Sequence, residues 1–89
     1  MTWCVYILHC ADDTYYTGIT NDLDARVQTH NDGAGAKYTK PRLPVRVVYS
    51  EVCDDRSDAS KREYAIKRLS RADKLKLIKT GEFRTGRDQ

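Results

Sequence analysis

Cys4-Val5-Tyr6-Ile7-Leu8-His9-Cys10 and, after four intervening residues, Tyr15-Tyr16-Thr17-Gly18-Ile19-Thr20 are the stretches whose reading decides the fold of this chain. Both are rich in β-branched and aromatic residues. Ala11-Asp12-Asp13 between them is turn-like, so Trp3–Cys10 and Tyr15–Thr20 predict a β-hairpin. If the turn sits on those three residues, Cys10 faces Thr14, Leu8 faces Tyr16 and Tyr6 faces Gly18. Tyr6 and Tyr16 then become diagonal neighbours on one face, within reach of long side chains. Gly18, lacking a side chain, predicts open space beside Tyr6 where a backbone or ligand could approach. Two strand tyrosines packing by their rings is the simpler explanation, and the pair alone does not choose between them.

Working outward, Thr20-Asn21-Asp22 supplies capping side chains for a helix that carries Leu23 and Val27 and fades at Asn31-Asp32-Gly33. The following segment, DGAGAKYTKPRLP, is a loop by its glycines and prolines. Pro44–Val52 alternates and is β-branched, a third strand. A long helical segment starts near Asp58, is broken or bent at Leu69-Ser70, where Ser70 and Asp73 have capping-box spacing, and ends at Lys79-Thr80-Gly81. The order β-β-α-β-α-α predicts a small α/β (α+β) domain. Its three-stranded, mainly antiparallel sheet needs helices on at least one face, because so small a sheet holds no core of its own. Residues 1–81 are expected to form one domain and residues 82–89 a flexible tail.

The bulk numbers agree with that reading. Eighty-nine residues allow one modest core, and 39% hydrophobic with 33% charged residues marks a globular rather than a disordered chain. The longest apolar run, Trp3 to Leu8, is far shorter than a membrane span. No basic segment followed by an apolar stretch and a cleavage site opens the sequence, so the expected location is cytoplasmic. Cys4, Cys10 and Cys53 fit neither a disulfide framework nor a zinc site, and read as reduced thiols buried in strands. Charge is unevenly spread: residues 1–36 hold one arginine against five aspartates, net −4, whereas residues 56–79 sum to +6. A basic later half suits a polyanion such as nucleic acid, and a solvated helix surface equally well.

Three further positions could carry chemistry. Arg26 and His30 are four apart on the first helix, so a guanidinium and an imidazole share one face and make a reasonable phosphate clamp. Glu63 falls on the stripe of Ala59, Ile66 and Ser70, which points a carboxylate toward the core side of its helix. A buried carboxylate wants a partner, and a metal ion would be one. Two plainer readings compete: a capping box from Ser60 to Glu63, and an exposed pair with Lys67 four residues on.

Cys4-Val5-Tyr6 followed at ten residues by Tyr16-Thr17-Gly18 resembles the two-part signature of the GIY-YIG nuclease superfamily. TGITNDLDARVQTHNDGAGAKYTK, PVRVVYSE and SKREYAIKRLSRADKLKLI extend the resemblance over most of the chain, toward the small stand-alone, single-domain branch. The first motif has Cys where the family name has Gly. Some relatives carry a lysine where this chain has Ile19, and the appended zinc module of junction-cutting relatives is absent from the sequence. The resemblance implies that Tyr6 and Tyr16 are active-site tyrosines, Arg26 the helix arginine, His30 the His-or-Tyr position one turn on, and Glu63 the metal-ligand glutamate.

The activity so implied is metal-dependent hydrolysis of phosphodiester bonds in nucleic acid, DNA more than RNA, in DNA repair or processing. Mg²⁺ or Mn²⁺ held by Glu63 would act with Arg26 as phosphate clamp and Tyr6 as general base on water. Tyr16 would orient the water or hold Tyr6. Lys37, Thr39 and Arg42 from the loop, with Lys61, Arg62, Lys67 and Arg68, are expected to contact backbone phosphates. Two other classes stay open: a nucleic-acid-binding module that scarcely cuts, and a subunit that recruits a protein partner. A homodimer stays open as well, though nothing in the sequence indicates one.

Overall fold

Val5, Tyr6, Ile7 and Leu8 are all buried, which a strand manages only with cover on both faces, and β1 (Trp3–His9) is accordingly the central strand. The computed structural model describes residues 2–80; the expected tail, 82–89, and the expected helix stop at Gly81 lie outside the described residues. β2 (Tyr15–Thr20) and β3 (Arg46–Cys53) flank β1 in the order β2-β1-β3, both antiparallel to it. The hairpin register is the expected one, with Tyr6 opposite Gly18 and Leu8 opposite Tyr16. Its turn is held by Asp12, whose Oδ1 accepts from the Thr14 amide at 3.2 Å and hydroxyl at 2.5 Å, while Asp13 takes a positive φ of 67° that aspartate tolerates better than most residues. The β1–β3 pairing slips between Ile7 and Leu8, leaving Val48 as the extra residue of a bulge.

Alternation along β1 sends side chains to two separate cores. Val5 and Ile7 join Tyr49, Ile66 and Leu77 under helices α2 (Arg56–Lys67) and α3 (Arg71–Thr80). Tyr6 and Leu8 join Cys10 and Val45 on the opposite face, with Leu23 and Val27 of α1 (Leu23–Asn31) and Tyr16 packed against them. Helices therefore cover both faces rather than the minimum of one.

Asp22 caps α1, accepting from the Ala25 amide at 3.2 Å, and Asp55 caps α2 through the Asp58 amide at 2.9 Å. Helix α2 begins two residues before the expected start at Asp58, so Ser60 lies inside it and the proposed Ser60–Glu63 capping box does not form. The break near Leu69-Ser70 is complete: Ser70 accepts from the Asp73 amide at 3.1 Å and starts α3 as a separate helix. Within the loop, Lys40–Arg42 forms a 3₁₀ turn. Asn31 ties the end of α1 to the approach of β3, donating to the Val45 carbonyl at 3.1 Å and accepting from its amide at 2.8 Å; strand β3 then starts at Arg46, two residues after the expected Pro44. All three cysteines are free, Cys10 buried and Cys4 and Cys53 half-buried. Among the described residues no helix is long and apolar enough to cross a membrane.

Candidate active site

Tyr6 and Gly18 meet because the antiparallel register puts them opposite each other, and what passes over the glycine is the phenol itself. A Cβ built on Gly18 would lie 2.7 Å from Tyr6 Oη, 2.9 Å from Cζ and 3.1 Å from Cε2 of Tyr16. The space expected to admit a ligand is thus occupied: only a residue without a side chain lets the phenol lie across β2. Tyr16 stands beside it, ring centroids 6.5 Å apart.

The last turn of α1 closes the cluster. His30 is fully buried, and its Nε2 is 3.1 Å from Tyr6 Oη. Its ring meets the Tyr16 ring edge-on at 5.4 Å. On the other side the loop folds over the imidazole: Thr39 Oγ1, also fully buried, is 2.9 Å from Nδ1, and the Ala36 amide points at Nδ1 from 3.4 Å. Gly35 is pressed against the ring so closely that a Cβ there would fall 2.3 Å from Nδ1. Tyr38, the loop's exposed aromatic, stacks on Tyr16 at 6.0 Å and carries the Arg42 guanidinium 4.0 Å above its ring.

Arg26, one turn before His30 and half-buried, brings its guanidinium to the Tyr6 phenol. Burial pushes the phenol above its ordinary value, and the Arg26 hydrogen bond and charge act in the opposite direction. Burial and, after it, the same guanidinium hold His30 below 6.5, its ordinary value, so the imidazole is neutral at neutral pH. A neutral imidazole, a buried phenol and a guanidinium thus converge on one phenolic oxygen. As its phenolate, Tyr6 could accept a proton from a bound water, while Arg26 presents a cation to an anionic substrate.

Residues 2–76 match the GIY-YIG catalytic domain. The chain belongs to the GIY-YIG family. That family is one of nucleases, and its members act on nucleic acid. Among small GIY-YIG relatives, the chain is 57% identical over 81 residues to a UPF0213 protein of Desulfotalea psychrophila, covering 90% of this chain and 74% of that one. It is 53% identical over 77 residues to a UPF0213 protein of Staphylococcus saprophyticus, covering 86% and 94%. Solution NMR structures of a UPF0213 protein from Bacillus halodurans (42% identity, TM-score 0.59) and of a protein from E. faecalis (38%, TM-score 0.62) each match 90% of this chain and 85% of their own. The α+β architecture is therefore shared with these two structures.

The GIY-YIG residues read from the sequence do not all stand together. Tyr6, Tyr16, Arg26 and His30 form the cluster described. Glu63 comes from α2, half-buried, its carboxylate 3.1 Å from Lys67 Nζ; Lys67 in turn lines a recess of about 270 Å³ with Tyr15, Tyr16, Thr17, Tyr38 and Lys74, so Glu63 borders the tyrosine cluster through its ion-pair partner. Among the described residues there is no group of three or more His, Cys, Asp and Glu side chains placed to share a metal. A lone, partly solvated carboxylate still fits Mg²⁺ or Mn²⁺, because such ions keep several waters and complete their shell with substrate phosphate.

The expected phosphate contacts divide differently. Lys37 and Lys61 are exposed. Thr39 is not at the surface at all; its hydroxyl lies between His30 and the Ala36 carbonyl, 2.9 Å from each. Arg42 is held by Asp12 at 2.9 Å and by the Tyr38 ring, Arg62 by Glu51 at 2.9 Å, and Arg68 donates to the Tyr64 hydroxyl at 3.0 Å. The roles of Gly35, Ala36 and Tyr38 escape a reading by residue type, since a basic Gly-rich loop looks like a solvated one; Tyr38-Thr39 between Lys37 and Lys40 was the available signal.

Proposed function

We propose that this protein is a divalent-metal-dependent nuclease that hydrolyses phosphodiester bonds, with DNA as the preferred substrate, in repair or processing of DNA in the cytoplasm. The observation that carries the reading is the buried Tyr6–His30 hydrogen bond beside Arg26, placed over a glycine that exists to accommodate the phenol. A buried polar cluster of this kind is a costly way to fill a core whose other buried positions are mostly apolar.

In this reading Tyr6 is the general base. As the phenolate, Tyr6 takes a proton from a bound water as the water oxygen attacks phosphorus; the bond from phosphorus to the 3′ oxygen breaks, and that oxygen takes its proton from solvent. Arg26 holds a non-bridging phosphate oxygen and meets the charge that grows there. His30 fixes the phenol through its 3.1 Å contact, and Tyr16, packed against both rings, keeps the water from wandering. Glu63 would hold Mg²⁺ or Mn²⁺, exchanging its contact with Lys67 for the ion, and the bound ion supplies positive charge at the scissile phosphate. Lys37, Lys61 and Lys67 would provide sequence-independent contacts to the backbone.

A second reading, a binding module that does not cut, is favoured by the Glu63–Lys67 ion pair, which leaves the carboxylate already satisfied. One experiment separates the two. The protein is incubated with labelled single-stranded, duplex and branched DNA and RNA in Mg²⁺, Mn²⁺ or EDTA, alongside Tyr6→Phe. The nuclease reading expects metal-dependent nicking, abolished by EDTA and lowered at least about a hundredfold in Tyr6→Phe with binding retained. Retained binding with no nicking of any substrate in either metal refutes it.

A further inference from the structure

His30 has two ring nitrogens and, neutral, one proton, and where that proton sits decides what the imidazole does to Tyr6. If Nδ1 carries it, Nε2 is a lone pair that draws the phenol's own hydrogen. If Nε2 carries it, the imidazole donates to the phenol oxygen and favours the phenolate. The groups around Nδ1 distinguish the two. The Ala36 amide points at Nδ1 from 3.4 Å, and a backbone N–H cannot turn around to become an acceptor. A proton on Nδ1 would face that N–H head-on and leave it without a partner. The Thr39 hydroxyl, 2.9 Å away, can rotate to donate to Nδ1. Its alternative acceptor, the Ala36 carbonyl, already receives the amides of Thr39 at 3.1 Å and Lys40 at 3.2 Å, so it loses little when the hydroxyl turns. Hydrogen bonding around Nδ1 is complete only when Nδ1 is the acceptor.

We infer that the loop carrying Gly35, Ala36 and Thr39 locks His30 as its Nε2–H tautomer, so that the imidazole donates to the Tyr6 oxygen and, beside the Arg26 charge, favours the phenolate. Thr39 is then a positioning residue, acting on Tyr6 through His30. This deepens the nuclease reading, on which its catalytic consequence rests, but the tautomer itself is a property of the resting protein. The titratable groups facing the pair are Arg26 from α1, Tyr16 from β2 and Cys4 from β1 itself.

The test is NMR on uniformly ¹⁵N-labelled wild-type protein at pH 8, where the long-range ¹H–¹⁵N pattern of a histidine ring distinguishes the tautomers, with His30→Gln used to assign the signals. The result expected is a non-protonated Nδ1 and a protonated Nε2 for His30; the opposite pattern overturns the inference whether or not the protein cuts nucleic acid. Thr39→Val, which keeps shape and removes the donor, is expected to raise the pH at which cleavage reaches its plateau and to slow cleavage at neutral pH about tenfold, with Thr39→Ser restoring both. A Thr39→Val protein that is folded, and has the wild-type tautomer and pH profile, overturns the positioning role of Thr39. If Thr39→Val does not fold, the wild-type ring pattern alone decides the tautomer and Thr39→Ser, with its rotatable donor, decides the role: a Ser variant with an altered pH profile overturns it.

Discussion

Replacing Gly18 by alanine tests the geometry more directly than removing any reactive group. The new methyl would stand 2.7 Å from Tyr6 Oη and 2.9 Å from Cζ, whereas ordinary contact begins near about 3.5 Å. The phenol must therefore retreat by roughly 0.6–0.8 Å. Tyr6 is only 1% exposed, so the ring has little room to yield, and the 3.1 Å hydrogen bond to His30 Nε2 is pushed out of range by a shift of that size. Overpacking of this kind costs about 1–3 kcal/mol, which in a domain this small lowers Tm by roughly 4–8 °C for each kcal/mol. Displacing a reacting oxygen by most of an ångström costs about a hundredfold in rate. Thermal unfolding, the His30 ring signals and nicking of the best substrate in the panel measure the three effects. A Gly18→Ala protein with wild-type Tm and an unchanged Tyr6–His30 contact would refute the claim that the phenol lies across this glycine.

Three other outcomes are expected. Glu63→Gln keeps shape and removes the charge that would hold a hard cation, so metal-dependent nicking should nearly vanish, while stability changes by less than about 1 kcal/mol because the lost Lys67 pair is a partly exposed one; a wild-type cleavage rate removes Glu63 from the mechanism. Arg26→Ala should lower the cleavage rate about a hundredfold and substrate affinity far less, and equal losses would make it a general binding contact. His30, held below 6.5 by burial and by Arg26, binds its proton more readily unfolded than folded. Its contribution is therefore fully present above about pH 6.5 and is lost as pH falls below that value, by at most about 1.4 kcal/mol per pH unit. Urea unfolding of wild type and His30→Gln between pH 5 and 8 should show a steeper decline in the wild type, and parallel curves would contradict it.

How much of this was legible from the residues depends on whether the deciding contact was local. The hairpin register could be counted from the Asp12-Asp13 turn, and it brought Tyr6 opposite Gly18 and Leu8 opposite Tyr16, as found. The helix starts were blurred by neighbouring caps: Asp55, Ser57 and Ser60 all have the right chemistry, and only the packing of Ala59 and Ile66 under the sheet selects Asp55. Arg62 and Arg42 looked like free cations because their partners, Glu51 and Asp12, are distant in sequence.

Gly18 and Thr39 are the more instructive cases, because in each the residue type was read correctly and its consequence reversed. A glycine in a strand does signal close approach, but the approaching group was the chain's own phenol rather than a ligand. A threonine among lysines and arginines does offer a hydroxyl, but nine residues earlier the last turn of α1 carries a histidine whose far nitrogen needs a donor, and the loop curls back to supply it. The second reversal follows from one fact of topology. Helix α1 is short, and its last turn delivers two consecutive side chains to opposite tasks: His30 inward to Tyr6, Asn31 sideways to the Val45 backbone. The loop between Asn31 and Val45 is thereby closed at both ends, and a closed loop carrying Gly35 can lie flat on the imidazole where an open one would be solvated. Asn31 thus bears on the site without touching it. Loosening that tie frees the loop, the loop releases Nδ1, and the ring that holds the phenol loses the contact that tells it which nitrogen should carry the proton.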